Sequence, residues 1–403
     1  MAIGLSLLAM ADTAWTARPG AAQQAHDQIP AFEFDPTWPK TPLPNNWTFG
    51  AIGGIHVDAN DAVWVAHRGH TTGLAKEDSL ATPGVGGCCQ SAPSIVVFDQ
   101  AGRVTKAWGG PDPKTPGKTA DGYDWPSEHG IFVDGAGNVW TGCEGGAMDV
   151  TTSPKNCGSV TKFSPDGRIL WQKGKTGQTK GNADRDNFNS PTGIFVDEAA
   201  REAFIADGYR NQRIAVIDAD TGAFKRMWGP YGMPPRDMPR TQLNGGTSGK
   251  REPELRKLFG DSVHCLEMSR DGLVYVCDRG NSRIHVYRKD GTFVKEGYVA
   301  PETGKMGSAF DIAFSTDPQQ RFLYLADGAN QTIHILRRDD LAVLGSFGKA
   351  GRGPGEFGLG RFFRRLERGF GLSHHRLGDL CLRLFVGDLV GRLHNGLDRR
   401  RLR

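Results

Sequence analysis

The sequence predicts an all-β fold, a β-propeller of four-stranded blades, with six blades expected and the last one missing or garbled. Three observations carry this. Gly 55 and Pro 23 in 403 residues, with 23% charged residues, suit short strands joined by tight turns. An internal repeat runs through most of the chain. Five repeat units are visible, and a sixth opens at Gly351 with GRGPGEF before the pattern stops.

The units are GGIHVDANDAVWVAHRG from Gly53, HGIFVDGAGNVWTGCEGG from His129, TGIFVDEAAREAFIADGYRNQRIAVID from Thr192, HCLEMSRDGLVYVCDRGNSRIHVYRKDG from His264 and FDIAFSTDPQQRFLYLADGANQTIHILRRDD from Phe310. Each holds a short apolar strand, a polar turn and a second apolar strand. A loop then leads to a third strand, and a fourth ends in Trp108-Gly109, Trp228-Gly229 or Phe347-Gly348. Four short strands per unit is the signature of a propeller blade. Alternation within the strands places one side against the next blade, and Asp-Gly turns suit tight hairpins. No blade covers both of its faces alone, so neighbours are required.

Three regions follow from this pattern: a signal-like segment at 1–25, the propeller at 26–358 and an Arg/Leu-rich tail at 359–403. The first segment has an apolar run from Ala2 to Met10 and small residues at Ala21-Ala22, which predicts export to the periplasm or outside the cell. The tail is roughly a quarter Arg and a quarter Leu and has no Lys. It reads as a frameshifted sixth blade, or else as a basic amphipathic tail for an acidic surface. Without a sixth blade, blades 1 and 5 would each expose an apolar face and strand edges. The net charge of +4 is concentrated in this tail. No basic-aromatic stripe suggests nucleic acid, and no apolar stretch is long enough to span a bilayer.

Seven cysteines fit an oxidising compartment. Cys143 and Cys157 flank a loop they could close. Cys265 and Cys277 lie symmetrically about Asp271-Gly272, as a disulfide or a buried thiol pair. Cys88 and Cys89 are adjacent, and such neighbours seldom bond.

One position recurs at the start of each first strand: Gly53, His129, Thr192, His264 and Phe310. Inner strands line a propeller's channel, so His129 and His264 should stand at one level in alternate blades. Two imidazoles there could share a Zn²⁺, which commonly takes three protein ligands in a catalytic site. The third would come from the sixth blade, near Arg361, and an arginine cannot serve. His374 and His375 are the nearest imidazoles. The plain alternative is two strand histidines with ordinary hydrogen bonds.

Over about 45–358 the set of segments resembles the NHL-repeat family of six-bladed propellers. More locally it is similar to the peptidylamidoglycolate lyases, the lyase domain of peptide-amidating enzymes. His129-Gly130 before IFVD and His264 before CDRGNSRI resemble that family's first two zinc histidines. VAHRG at Val65–Gly69 resembles its His-Arg-Gly, and ADGYRNQRI at Ala206–Ile214 its Asp-Gly-Tyr-x-Asn-x-Arg-Ile. The resemblance implies Zn²⁺ on His129 and His264, an essential Arg68 and a catalytic Tyr209, acting on a carbinolamide to release glyoxylate. It gives the third histidine no counterpart here. A structural Ca²⁺ is a further expectation. NHL repeats share D-x-x-N-x-R-I, so Tyr209 could be a loop aromatic and Arg68 an ion-pair residue.

The alternative function is a non-catalytic propeller that binds a protein, peptide or glycan. Gly- and Pro-rich inserts at Thr71–Ala92, Pro111–Asp124 and Pro230–Arg256 would carry that ligand. A third reading, hydrolysis of a lactone or ester at a channel Ca²⁺, rests on Asp311 alone.

Overall fold

A computed structural model describes residues 29–50, 52–68, 90–110, 123, 125, 127–143, 157–237, 253–304, 306–351 and 356–357. Contacts divide the chain into a short unit, Met1–Ala31, and a unit Phe32–Arg403. Every strand lies in the second unit. The signal-like segment, Cys88-Cys89, most of the three inserts and the tail after 358 lie outside the described residues.

Twenty of the strands form five four-stranded antiparallel sheets. A short strand β1 (Trp47–Thr48) runs parallel to β4 (Gln90–Ser91) beside the first. Blade 1 is β2 (Ile52–Val57), β3 (Val63–His67), β5 (Ile95–Phe98) and β6 (Val104–Trp108). Blade 2 is β7 (Glu128–Val133), β8 (Val139–Cys143), β9 (Val160–Phe163) and β10 (Ile169–Lys173). Blade 3 is β11 (Pro191–Asp197), β12 (Glu202–Asp207), β13 (Arg213–Asp218) and β14 (Phe224–Trp228). Blade 4 is β15 (Val263–Met268), β16 (Val274–Asp278), β17 (Arg283–Tyr287) and β18 (Phe293–Tyr298). Blade 5 is β19 (Ala309–Phe314), β20 (Phe322–Asp327), β21 (Thr332–Arg337) and β22 (Val343–Phe347). A last parallel pair is β23 (Lys349–Ala350) with β24 (Glu356–Phe357). The protein is thus an all-β propeller with five blades among its described residues.

Second strands are the most apolar because packed chain lies on both of their faces. VWVAH in β3, VWTGC in β8 and VYVCD in β16 are buried throughout. Outer strands such as ILWQK in β10 face solvent and alternate. The hairpin turns are tied by their first residue. Asp134 accepts the Ala136 and Asn138 amides (3.1 and 2.8 Å) and the Trp140 indole N–H (3.2 Å). Asp58 does the same for Asn60, Ala62 and Trp64.

The apolar clusters lie between blades. Trp64, Ile95, Ile131 and Phe163 join blades 1 and 2, and Phe132, Ile194 and Ile205 join blades 2 and 3. Phe204, Val216, Leu266 and Tyr287 join blades 3 and 4, and Ile284, Ile312 and Leu325 join blades 4 and 5. The aromatic that closes an outer strand reaches the next blade: Trp108 packs on Phe163 and Trp228 on Tyr287.

One expectation is corrected here. The outward faces of blades 1 and 5 are not bare, because the segment before β2 lies on both. Trp38, Leu43 and Phe49 pack on Val63, Val65 and Phe98 of blade 1. Phe32 stacks on Phe347 (4.7 Å between ring centres) and meets Tyr324 edge-on in blade 5. Among the described residues, segment 32–50 covers part of each of these faces, most of it on blade 1 and Phe32 alone on blade 5.

Blades 3 and 4 each carry a buried polar lock after the second strand. Asp278 accepts Arg283 Nε (2.7 Å), Asn281 Nδ2 (2.8 Å) and the Gly260 amide (2.7 Å). Asp207 pairs likewise with Arg213 (2.8 Å) and Asn211 (2.7 Å). In blade 5 Thr332 replaces the arginine, and Asp327 keeps Asn330 (2.7 Å). Both side chains of the Arg283–Asp278 pair are 0% exposed. Removing one partner would strand a buried charge, so Asp278→Ala should lower the unfolding free energy by about 3–5 kcal/mol in urea titration. A loss below about 1 kcal/mol would put this pair in the class of surface ion pairs.

Candidate active site

The inner strands stand side by side, β2 by β7, β7 by β11, β11 by β15 and β15 by β19. Each inner strand slips its register by one residue near its start. The residue left out of the ladder is Gly53, Gly130, Thr192, His264 or Phe310. Such a bulge re-aims side chains, and it sits at or beside the repeat position read from the sequence. In blade 2 it falls on Gly130, whose φ is +70° and whose absent Cβ would lie 2.6 Å from the Thr192 carbonyl. Glycine there lets His129 turn inward.

His129 and His264 do stand together, with ring centres 4.9 Å apart. Each ring is held through Nδ1 by a carbonyl of the following blade, His129 by Thr192 (2.9 Å) and His264 by Phe310 (2.6 Å). A carbonyl only accepts, so both Nδ1 atoms carry the proton, and in the neutral ring each Nε2 presents a lone pair. The lone pairs converge on the Tyr209 hydroxyl, at 3.2 Å from His129 and 2.8 Å from His264. One hydroxyl proton can serve only one of them.

Tyr209 comes from the loop between β12 and β13, in the blade between the two histidines. The Asp207–Asn211–Arg213 lock holds that loop. Its Gly208 has no room for a side chain, since a Cβ would fall on the Val263 carbonyl. Arg279 opens the equivalent loop of blade 4 and donates to the Tyr209 hydroxyl (3.3 Å). Its guanidinium lies between two rings, 5.2 Å from Tyr209 and 4.8 Å from Phe310. Arg68 directly follows β3 and is half-buried.

Desolvation drives the His264 pKa well below the usual 6.5, with the charges of Arg279, His129 and Arg68 adding to the effect. The protein brings three of the four residues singled out in the sequence into contact, His129, Tyr209 and His264, while Arg68 stands half-buried at the end of β3.

Arg279 was missed as a site residue. His67-Arg68 and Asp278-Arg279 occupy the same repeat position, the last residue of a second strand and the one after it. That repetition was the available signal. Asp311 is exposed, and its carboxylate accepts the Ile312 amide (2.9 Å). Among the described residues no group of three or more His, Cys, Asp and Glu side chains is placed to hold a metal. The position near Arg361 lies outside them. The donor set offers two Nε2 lone pairs and one phenol oxygen, which fits two protein ligands of a zinc ion and leaves the third unassigned.

Both disulfide candidates are bonded. Cys143–Cys157 has a Cα separation of 5.3 Å and Cys265–Cys277 one of 4.9 Å.

The chain has homologues among NHL-repeat and amidating proteins. It is 23% identical over 320 residues to NHL repeat-containing protein 3 of Mus musculus, covering 78% of this chain and 70% of that one. It is 26% identical over 281 residues to peptidyl-glycine alpha-amidating monooxygenase A of Xenopus laevis, covering 68% of this chain. That match spans only 25% of the monooxygenase. No family model matches. A solved virginiamycin B lyase from Staphylococcus aureus aligns at 13% identity with a TM-score of 0.40, covering 74% of this chain and 72% of that one.

Nitrogen NMR of the imidazoles at neutral pH should find both His129 and His264 in the Nδ1–H form. His264 should remain neutral at pH values where an ordinary imidazole takes up its proton, because its folded pKa lies below the unfolded value. An Nε2–H ring at either position would contradict the site described above.

Proposed function

We propose that this propeller is a lyase of the peptidylamidoglycolate type, cleaving a carbinolamide to an amide and glyoxylate. The observation that carries the reading is the convergence of both Nε2 lone pairs and the Arg279 guanidinium on one phenol oxygen. Relationship to the amidating enzymes adds support from an independent direction.

His129 and His264 would hold Zn²⁺, with the third ligand expected from a sixth blade. When bound, the ion would supply Lewis acidity toward the substrate hydroxyl. The chain's own groups account for the proton. Tyr209 accepts the hydroxyl proton as a phenolate, a form favoured by the neighbouring Arg279 cation. The C–O bond becomes a carbonyl as the C–N bond breaks. The departing amide nitrogen takes the proton back from Tyr209, and glyoxylate leaves. Arg68, at the end of β3, suits the substrate carboxylate. The two disulfides support an exported protein in an oxidising compartment.

A second reading, a binding propeller without catalysis, has one observation in its favour. The relative matched over most of its own length is an NHL repeat-containing protein rather than an amidating enzyme.

The purified chain should carry near-stoichiometric zinc and release glyoxylate from a peptidyl α-hydroxyglycine, and a chelator should remove both. Tyr209→Phe should lower kcat by about 10²–10⁴ while leaving zinc bound. H129A and H264A should each lose the metal. A folded chain with neither zinc nor glyoxylate release would retire the lyase reading in favour of the binding propeller.

A further inference from the structure

We propose that the Cys265–Cys277 disulfide is a positioning element of the channel site, holding His264 and Arg279 where both reach the Tyr209 hydroxyl. The proposal rests on reading these three residues as one working site, though not on the reaction assigned to it.

The bond joins β15 to β16, and its two cysteines are direct cross-strand partners. Cys265 immediately follows His264, and Cys277 lies two residues before Arg279. Blade 4 therefore delivers one site residue on β15 and another just past the end of β16, the two strands that this one bond ties together. His264 is the residue left out of the ladder, so the pairing is interrupted there and must resume at the next position. The pair at which it resumes is Cys265–Cys277. In blades 1, 3 and 5 the pair at the same register is Gly54–Ala66, Gly193–Ala206 and Asp311–Ala326, none of them covalent. The covalent link at this register thus occurs in the blade that contributes both a ring nitrogen and a guanidinium to the same hydroxyl.

Beyond a bulge, strands are free to slide or splay, and a slip of one residue would turn His264 and its neighbours to the opposite face. Displacing a positioned group by about 1 Å can cost on the order of 10²-fold in rate. His264 lies on β15 and Arg279 directly follows β16, so sliding of the two strands would change both of their distances to Tyr209 together. A bond buried among Tyr275, Ile284 and Val286 suppresses that motion at its source.

The test compares the wild-type chain with C265A/C277A, well below the melting temperature of each. The readout is the NMR cross-relaxation between the His264 and Tyr209 rings, whose centres lie 5.3 Å apart. The Phe132 and Phe195 rings, 5.2 Å apart in blades 2 and 3, serve as the internal reference. The expected result is loss of most of the His264–Tyr209 signal with the reference unchanged. An unchanged His264–Tyr209 signal in the folded variant would overturn the proposal and leave the bond as a stabiliser only. Should the variant fail to fold, a dithiol reductant is applied to the folded C143A/C157A chain, where it opens the Cys265–Cys277 bond to two thiols, counted by alkylation and mass spectrometry. The same two signals then decide. Absence of glyoxylate release from the oxidised wild type would retire the lyase reading without altering this comparison.

Discussion

The inner strands of adjacent blades must stand side by side, because a four-stranded blade has two apolar faces and can cover neither alone. That constraint gives the clusters between blades, from Trp64 and Phe163 at one end of the series to Ile312 and Leu325 at the other. It also explains the segment before β2. Phe32 packs on blade 5, and Trp38, Leu43 and Phe49 pack on blade 1. The site inherits its geometry from the same packing. Both imidazoles are fixed through Nδ1 by a carbonyl of the following blade, so an inter-blade contact also sets the direction of each lone pair.

A second layer of order comes from buried polar locks. In blades 3 and 4 an aspartate ends the second strand and takes hydrogen bonds from an asparagine and an arginine further along the loop. These locks shape the loops from which Tyr209 and Arg279 project. A short rigid loop loses less entropy in holding a side chain at a fixed place than a free one would. The polar group is therefore held at the channel by interactions that lie outside it. Blade 5 keeps the aspartate and asparagine but has Thr332 in the arginine's place, and its loop contributes no group shown to touch Tyr209.

Several site residues were legible because the repeat supplies a ruler. His129 and His264 share one repeat position, and Tyr209 and Arg68 lie in segments that resemble a known pattern. Arg279 was harder to see. Its equivalence to Arg68 is one of position relative to the second strand, while its neighbours Asp278 and Gly280 suggest an ordinary repeat loop. The bulges coincide with the repeat position or its neighbour, yet residue type alone did not announce them, since Gly53, Gly130, Thr192, His264 and Phe310 have no single type in common. The cover of blades 1 and 5 was likewise invisible, since segment 32–50 has no repeat pattern to announce its partner.

By itself the sequence determined the blade, its four strands, its turns and the residues that recur at each level. Those are short-range matters: alternation of apolar residues, aspartate at the hairpin turns and a fixed interval between like positions. Only the tertiary structure decided that two histidines would aim at one hydroxyl and that Arg279 would lie between Tyr209 and Phe310. It also decided that Cys265 and Cys277 would bond, at a Cα separation of 4.9 Å. Each of these depends on how strands meet across a hairpin or a blade boundary, and distance between chain segments is a property no local pattern contains.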